Sequence, residues 1–389
     1  MEVEKGEQKQ AILHKIYNCK TNRSFCPKFP LFDDVNVQKI YNCRMTNIEK
    51  QGYAERKMNM DKKSLYCYTG HPMQMYSIRR VNLDEGRAKG TSVIEVTTAE
   101  GLQIDILPDM GLDIGKVCYK GINTSYITKN GYDSPAVFLP VEMEFLNAFS
   151  GGLVYTCGLR NVGPSCQDGA AKEYHPQHGR VHGLQAEQVT ACTKDNKIIV
   201  SGVLRESALF GHVLQLRRRI IIPIWGSSIT VEDTLENLTP HPEEFMLLYH
   251  CNFGYPLLSE SARLVLPDKR KTTPRTEHAK TYIGRECTFD PPEDGAEEQV
   301  FFHSMDECWA RLENPTANIA VTLKWSGDTL PVLAQWRSMA SGDYALGLEP
   351  SNNYIMGRSA ERDNGSLKTL AGFADMCTKI ELEFEEMNR

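Results

Sequence analysis

The feature that most constrains the fold is a period of two in the hydrophobic pattern, which recurs along the chain from about residue 90. In the segment 228–236, Ile229 and Val231 alternate with Thr230 and Glu232. Because successive side chains of a strand point to opposite faces, this pattern predicts strands with one buried and one solvated face, as in antiparallel sheets. No helical pattern of comparable strength follows residue 90.

Many segments share this pattern, and Gly, Pro, Asn and Asp separate them. A long series of such strands predicts a mainly β fold in which antiparallel sheets pack face to face as a large sandwich. The predicted strands are 92–98, 102–107, 197–205, 212–222, 228–236, 244–250, 319–324, 332–337 and 343–348, with a last one that includes residues 380–385.

The rest of the chain divides into an N-terminal extension and three long interruptions. Residues 1–60 are polar and lack a clear period, so we interpret them as an extension, partly helical, ahead of a β domain at 61–389. Segments 130–152 and 160–185 are rich in Gly, Pro, His and Asn, and long loops within a compact domain tend to be functional. We interpret the third segment, 268–300, as a solvated loop.

Composition excludes several classes of function. The net charge of −6 argues against a nucleic-acid surface. No stretch approaches the roughly 18 consecutive apolar residues of a membrane span, and the N-terminus lacks the apolar core of a signal peptide. The 12 cysteines are scattered without a CxxC motif, which is typical of reduced thiols rather than of a disulfide framework. We therefore expect a soluble cytoplasmic protein.

Two titratable residues end apolar, strand-like runs. His250 follows Leu247-Leu248-Tyr249, and Glu349 is the only charge in a run that ends in Gly-Leu-Glu-Pro. Burial raises the pKa of a carboxyl and lowers that of an imidazole, which brings both towards the range of a general acid–base pair. A buried carboxyl must be paired or functional. If these strand ends meet, the sequence predicts proton transfer on a small molecule, with Glu349 and His250 as the catalytic residues.

The loop at 173–183 contains three histidines, at 175, 178 and 182. One interpretation is a metal site formed by His175, His178 and His182, although Pro176 and a glycine break any helix that would align them. The other is a loop that points His178 and Arg180 at a polar ligand, because a guanidinium offers a planar fork of donors to oxygen atoms. His178 and Arg180 are the preferred ligand-binding candidates.

Four further residues are candidates for substrate binding. Arg160 and Asn161 end a strand-like segment just before the histidine loop. Asn352 follows Glu349 closely and could support it or contact the ligand. Trp336 could form a platform for the apolar face of a sugar ring, with core packing as the alternative.

Several motifs together resemble one known family. They are LPDMGLDIG at 107–115, GGLVYTCGLRNVGP at 151–164, HGR at 178–180, YHCNFGYPLL at 249–258 and QWRSMASGDYALGLEPSN at 335–352. This set resembles the aldose 1-epimerase-like proteins, and more narrowly the branch described as DUF4432, within the galactose mutarotase-like superfamily. The resemblance runs from about residue 65 to the C-terminus and implies a β-supersandwich.

The resemblance also implies a chemistry. In that family a glutamate takes the proton from the anomeric hydroxyl and a histidine protonates the ring oxygen, so the ring opens and closes on the other face. By position, Glu349 matches the base and His250 the acid, and His178 matches a second histidine of the family. This mechanism requires no cofactor or metal, and its ligand is a small sugar.

Two alternatives stay open at this point. One is a sugar isomerase or C-epimerase that uses a metal on the three histidines. The other is a non-catalytic sugar-binding or regulatory protein that uses the same groove. The sequence identifies neither the sugar nor the oligomeric state.

Overall fold

The computed structural model describes residues 62–134, 136, 139–170 and 172–387. The predicted N-terminal extension, 1–60, lies outside the described residues. The helices of the described part are short, and none of them is long and apolar enough to cross a membrane. They are α1 (Lys62–Tyr68), α2 (Phe145–Ala148), α3 (Glu277–Lys280) and α4 (Arg358–Asp363), with 3-10 turns at Pro72–Gln74, Gly86–Ala88 and Val181–Gly183.

Antiparallel strands dominate the described chain, which confirms the predicted fold class. In chain order they are β1 (Ser77–Asn82), β2 (Ser92–Thr97), β3 (Leu102–Leu107), β4 (Asp113–Tyr119), β5 (Ile122–Asn123), β6 (Tyr155–Leu159), β7 (Cys166–Asp168), β8 (Glu173–His175), β9 (Glu187–Lys194), β10 (Lys197–Ser207), β11 (Val213–Pro223), β12 (Ser228–Asn237), β13 (Glu243–Phe253), β14 (Arg263–Val265), β15 (Arg270–Pro274), β16 (Gln299–Met305), β17 (Trp309–Asn314), β18 (Ile319–Trp325), β19 (Val332–Ala340), β20 (Asp343–Ser351), β21 (Lys368–Leu370) and β22 (Asp375–Glu386).

These strands form three sheets and a hairpin. The five-stranded sheet runs β1-β2-β3-β4-β5, and the eight-stranded sheet runs β14-β17-β18-β22-β12-β11-β10-β9. The seven-stranded sheet runs β15-β16-β19-β20-β13-β21, with β6 also paired to β13, and β7 pairs with β8 alone. We call the seven-stranded sheet the site sheet, because its central strands carry both candidate catalytic residues.

The alternating pattern produces the predicted one-sided strands. In β12 every second side chain, beginning at Ile229, is buried. Strand β13 is different, because nine consecutive residues, from Phe245 to Phe253, are buried on both faces. Leu247, Tyr249 and Cys251 pack in the main core between the sheets, whereas their neighbours point to the opposite face. His250 therefore belongs to the face of the site sheet that lies away from the main core.

One buried ion cluster sits inside the sandwich. Arg218 is 1% exposed, and its guanidinium contacts Asp233 at 2.7 Å and Asp113 at 2.5 Å. Tyr249 donates a hydrogen bond to Asp233 at 2.6 Å, and Thr156 donates to Asp113. The cluster joins β11 and β12 to β4, β6 and β13, and thus links all three sheets. Asp113 accordingly has a structural role.

The interpretation of residues 268–300 as a solvated loop holds for most of 291–298, which are exposed, but was wrong for the first part of the segment. The segment contains β15 and α3, and β15 pairs with β16 to form one edge of the site sheet. Short strands rich in Lys and Thr lack the apolar run that identifies a strand from sequence, because an edge strand needs little burial of its own.

Candidate active site

A cleft of about 450 Å³ opens on the outer face of the site sheet. It combines charged, amide and aromatic side chains, as small-molecule sites usually do. Segments 130–152 and 160–185, the two loops predicted to be functional, both contribute to it. Its lining consists of Tyr126, Thr128, Lys129, Asn130, Phe145, Leu146, Asn147, Phe149, Gln177, His178, His250, Arg275, Glu298, Val300, Trp336, Asp343, Glu349 and Ile355.

Strand pairing places Glu349 beside His250. In the antiparallel β13–β20 ladder Cys251 pairs with Leu348. His250 precedes Cys251 and Glu349 follows Leu348, so these two residues are neighbours across the strands. Nε2 of His250 lies 3.1 Å from Oε1 of Glu349. The structure thus brings together the two predicted catalytic residues.

The space for this pair depends on Gly347. A Cβ atom at this position would lie 2.7 Å from Oε1 of Glu349 and 3.0 Å from Cε1 of His250. A glycine inside an apolar strand indicates a close approach of another group. That signal was available in the sequence and could have added Gly347 to the site.

Burial shifts the pKa of both groups in opposite directions. Glu349 is 2% exposed, and burial raises the pKa of its carboxyl to about 8, opposed by the charge of Arg275. Burial lowers the pKa of His250 to about 3, with a further decrease from His178. Both effects have the sign expected when a charged form loses its hydration. The 3.1 Å contact between Oε1 of Glu349 and His250 lacks hydrogen-bond geometry, and among the described residues this buried oxygen has no other hydrogen-bond partner.

His178 lies in the same cleft, where a tight loop holds it. Its backbone has a φ of 58°, its N–H donates to Gly163, and its carbonyl accepts from Gly158. The next residue, Gly179, has a φ of 78°, and a Cβ there would lie 2.1 Å from the carbonyl oxygen of Gly158. The imidazole centroid lies 6.3 Å from that of His250, and burial lowers the pKa of His178 to about 4.

Aromatic rings enclose the two histidines and account for their desolvation. Phe145 lies 4.8 Å from His178, and Phe149 lies 5.4 Å from His250, between ring centroids. Trp336 packs edge-on to His250 at 5.6 Å, and its Nε1 donates to Glu298 at 2.8 Å. The indole is therefore fixed in the wall of the cleft, where a sugar ring could stack on it.

Arg160, predicted to bind substrate, does not line the cleft. Its guanidinium is buried and donates to the carboxylate of Glu243 and to the carbonyl of Glu244. It also donates to Glu173 at 3.2 Å. Three internal acceptors use its donors, so it stabilises the packing of the histidine loop against β13.

Asn161 and Asn352, also predicted to bind substrate, likewise lie outside the lining of the cleft. Nδ2 of Asn161 donates to the carbonyls of Pro164 and Pro176, within the loop. Oδ1 of Asn352 accepts from the backbone N–H of Leu247, at 2.8 Å. Both amides are buried and satisfy backbone groups, and neither lines the cleft.

Arg180, the other preferred ligand-binding candidate, does not line the cleft. It donates to the carbonyl of Tyr174 at 2.8 Å and lies 3.5 Å from Glu173 and 3.6 Å from Glu206. His178 and Arg180 are separated by one residue, but the positive φ at positions 178 and 179 turns the chain, so only the histidine lines the cleft.

The structure does not bring together the three histidines of the alternative metal site. In the described part of the chain no group of three or more His, Cys, Asp or Glu side chains is arranged to hold a metal ion. His178 and His182 both contact the ring of Phe145, at 4.8 and 5.7 Å. His175 is fully buried near Asp168, at 3.9 Å, and does not line the cleft.

Besides Lys129 and Asp343, the prediction from sequence missed two further charged residues of the cleft, Arg275 and Glu298. Both belong to the segment 268–300 that was interpreted as solvated. Arg275 follows β15 directly, and its N–H donates to the carbonyl of Val300 at 2.8 Å. Nothing in the local sequence separates these two charges from their many charged neighbours.

Solved structures share this fold. A candidate aldose 1-epimerase from Klebsiella pneumoniae superposes with a TM-score of 0.75 at 21% identity, over 80% of this chain and 84% of that one. A galactose mutarotase-like protein from Clostridium acetobutylicum gives 0.56 at 16% identity, over 81% and 100%. A candidate aldose 1-epimerase from Escherichia coli K12 gives 0.52 at 13% identity, over 80% and 100%. The architecture is thus that of the galactose mutarotase-like β-sandwiches.

The family follows from the sequence itself. Residues 88–384 match the model of the family described as Domain of unknown function (DUF4432), and the chain belongs to it. This confirms the resemblance drawn from the motifs. No curated protein matches the chain in sequence.

Proposed function

We propose that this protein is an aldose 1-epimerase-type isomerase that interconverts the anomers of a sugar by acid–base catalysed ring opening. The observation that carries the proposal is the 3.1 Å contact between Glu349 and His250 in the wall of an open cleft. The fold shared with candidate aldose 1-epimerases supports the same class of reaction.

The proton count of this pair suits the reaction. A pKa of about 8 for Glu349 and about 3 for His250 means that the pair holds one proton near pH 7. A carboxylate base and an imidazolium acid together also hold one proton. Once side-chain rotation gives the 3.1 Å contact hydrogen-bond geometry, transfer of this proton from Glu349 to His250 converts the resting pair into the reactive one. This step changes neither the number of protons on the buried pair nor its net charge.

The reaction then follows directly. Glu349 removes the proton from the anomeric hydroxyl, the bond between C1 and the ring oxygen breaks, and His250 protonates that oxygen. Both oxygens are attached to C1, so the acid and the base must be neighbours, as they are here. After rotation about the C1–C2 bond the steps reverse, and closure on the other face gives the other anomer. His178 can donate a hydrogen bond to the oxygen that carries the developing negative charge.

Anomeric exchange measured by NMR across a panel of aldoses tests the proposal, after subtraction of the uncatalysed rate. We expect exchange that depends on the protein and falls by roughly a hundredfold or more in Glu349→Gln, the usual range for loss of a general base. Glu232→Gln on the surface of β12 is the matched control and should keep the wild-type rate, because its side chain is 41% exposed and pairs with Arg219.

Three outcomes would overturn the proposal. Wild-type exchange in Glu349→Gln would remove the assigned base. Saturable sugar binding without exchange would make the protein a binding module. A product that differs at a carbon other than C1, or a ketose, would assign a different isomerase reaction.

A further inference from the structure

The cleft contains an arginine for which the proposed proton transfer has no use. Among the described residues, no hydrogen bond or ion pair reaches the guanidinium of Arg275, which is half-buried in the cleft wall. The other cation of the lining, Lys129, is neutralised by Asp343 at 2.8 Å. A partly desolvated guanidinium without a partner is a binding group for an anion, with a fork of donors that matches a planar carboxylate.

The charge of Arg275 acts on the reacting end of the cleft. Its positive charge lowers the pKa of Glu349 and also that of His178, against the larger effect of burial on each. On Glu349 its effect exceeds the opposite effect of Glu298. An anion held by Arg275 therefore belongs to the same ligand that contacts the acid–base pair.

Strand register gives the distance that such a ligand spans. Arg275 lies beside Val300, and Val300 pairs with Trp336, which pairs with Gly347. Three strand spacings separate the backbone of Arg275 from that of the catalytic strand, roughly 14 Å. Side chains stand roughly perpendicular to a sheet, so a backbone separation of this size spans one sugar ring and its substituents over Trp336.

The charges of the lining favour one negative charge on the ligand over two. Lys129 and Asp343 cancel each other, which leaves Arg275 opposite Glu298, a carboxylate that accepts only the indole N–H of Trp336 among the described residues. A carboxylate on the ligand adds one negative charge beside Glu298. A phosphate adds up to two, and like charges in a partly desolvated site repel strongly.

From this arrangement we infer that the substrate is an aldose that carries a carboxylate, of the uronic acid class, with that carboxylate bound by Arg275 and the ring placed over Trp336. The inference rests on the proposed function, because it assigns the substrate class of the same site. The carboxylate is unchanged in the reaction and serves to orient the anomeric carbon towards Glu349 and His250.

Calorimetric binding tests the inference without reference to catalysis. D-glucuronate and D-galacturonate are compared with D-glucose and D-galactose on the full-length wild type, Arg275→Gln and Lys271→Gln. Lys271 is the matched control, because it is exposed on the same edge strand but lies outside the cleft. We expect a uronate to bind at least tenfold more tightly than its neutral partner, a preference that is lost in Arg275→Gln and kept in Lys271→Gln.

Three binding results and one comparison with a phosphorylated sugar would overturn the inference. Equal binding of acid and neutral sugars, no binding of either uronate, or a preference that survives Arg275→Gln overturns the inference. Tighter binding of D-glucose 6-phosphate than of both uronates overturns the single-charge argument and with it the uronic acid class. Circular dichroism of Arg275→Gln checks that its fold is retained.

Anomeric exchange measured in parallel separates the two proposals. Exchange of neutral aldoses without a preference for acids would overturn this inference and leave the proposed function standing. Uronate binding that depends on Arg275, without exchange, would support the inference and overturn the proposed function.

Discussion

Replacement of Glu349 by glutamine should change the pH dependence of stability, whatever the sugar is. Burial raises the pKa of this carboxyl from 4.5 to about 8 in the folded state. The folded protein therefore binds the proton more tightly than the unfolded chain, and stability falls as pH rises from 4.5 to 8. At 1.36 kcal/mol for each unit of pKa, the full cost above pH 8 is about 5 kcal/mol as an upper estimate. Glutamine does not titrate and escapes this cost.

The assay is urea unfolding of the wild type and Glu349→Gln at several pH values. The advantage of the variant should grow by about 3 kcal/mol between pH 6 and pH 9, since part of the cost already applies at pH 6. Glu232→Gln, on an exposed part of β12, corrects for general effects of pH and should show no such trend. A difference between the wild type and Glu349→Gln that is constant across this range would refute the assignment of a raised pKa to Glu349.

Three further predictions follow from the geometry. If the reactive pair holds one proton, kcat/KM for anomerisation should be level between pH 5 and 7.5. It should fall above pH 8, where Glu349 loses its proton. A decline in kcat/KM that begins near pH 6.5 on acidification would contradict this. Gly347→Ala places a Cβ 2.7 Å from Oε1 of Glu349 and should reduce exchange by roughly a hundredfold while circular dichroism is unchanged; wild-type exchange would show that the pair tolerates displacement. Arg218→Met leaves Asp113 and Asp233 buried without their cation. It should lower the free energy of unfolding, measured in urea, by about 3–5 kcal/mol. A loss below about 1 kcal/mol would mean that the cluster is dispensable.

The strands and the two catalytic candidates could be predicted because their signals are local. Alternation over five or more residues fixed most central strands to within a few residues, and the predicted strand at 102–107 has the bounds of β3. His250 and Glu349 stood out as lone titratable residues in apolar runs. Such residues are costly to bury, so their presence alone indicated a function.

The remaining site residues depend on partners that are distant in sequence. Arg160 was expected at the ligand, yet Glu243 on another strand binds its guanidinium. Arg275 was overlooked because β15, the strand that it follows, has no apolar pattern, and only the backbone hydrogen bond to Val300 places it at the cleft. In both cases the residue type was informative, but the partner that decides its role lies tens of residues away, where local patterns carry no signal.

The site sheet places the acid–base pair on its central strands and the proposed anion-binding residue at its edge. Glu349 and His250 lie on adjoining central strands, where hydrogen bonds on both sides and a packed core fix their spacing. Arg275 follows a strand at the sheet's edge, which has a neighbour on one side only. A change at the edge can alter which substituent is recognised and leave the spacing of the central pair intact. Relatives with different sugars could thus arise from substitutions at this border, and a mutant library aimed at new substrates should begin there.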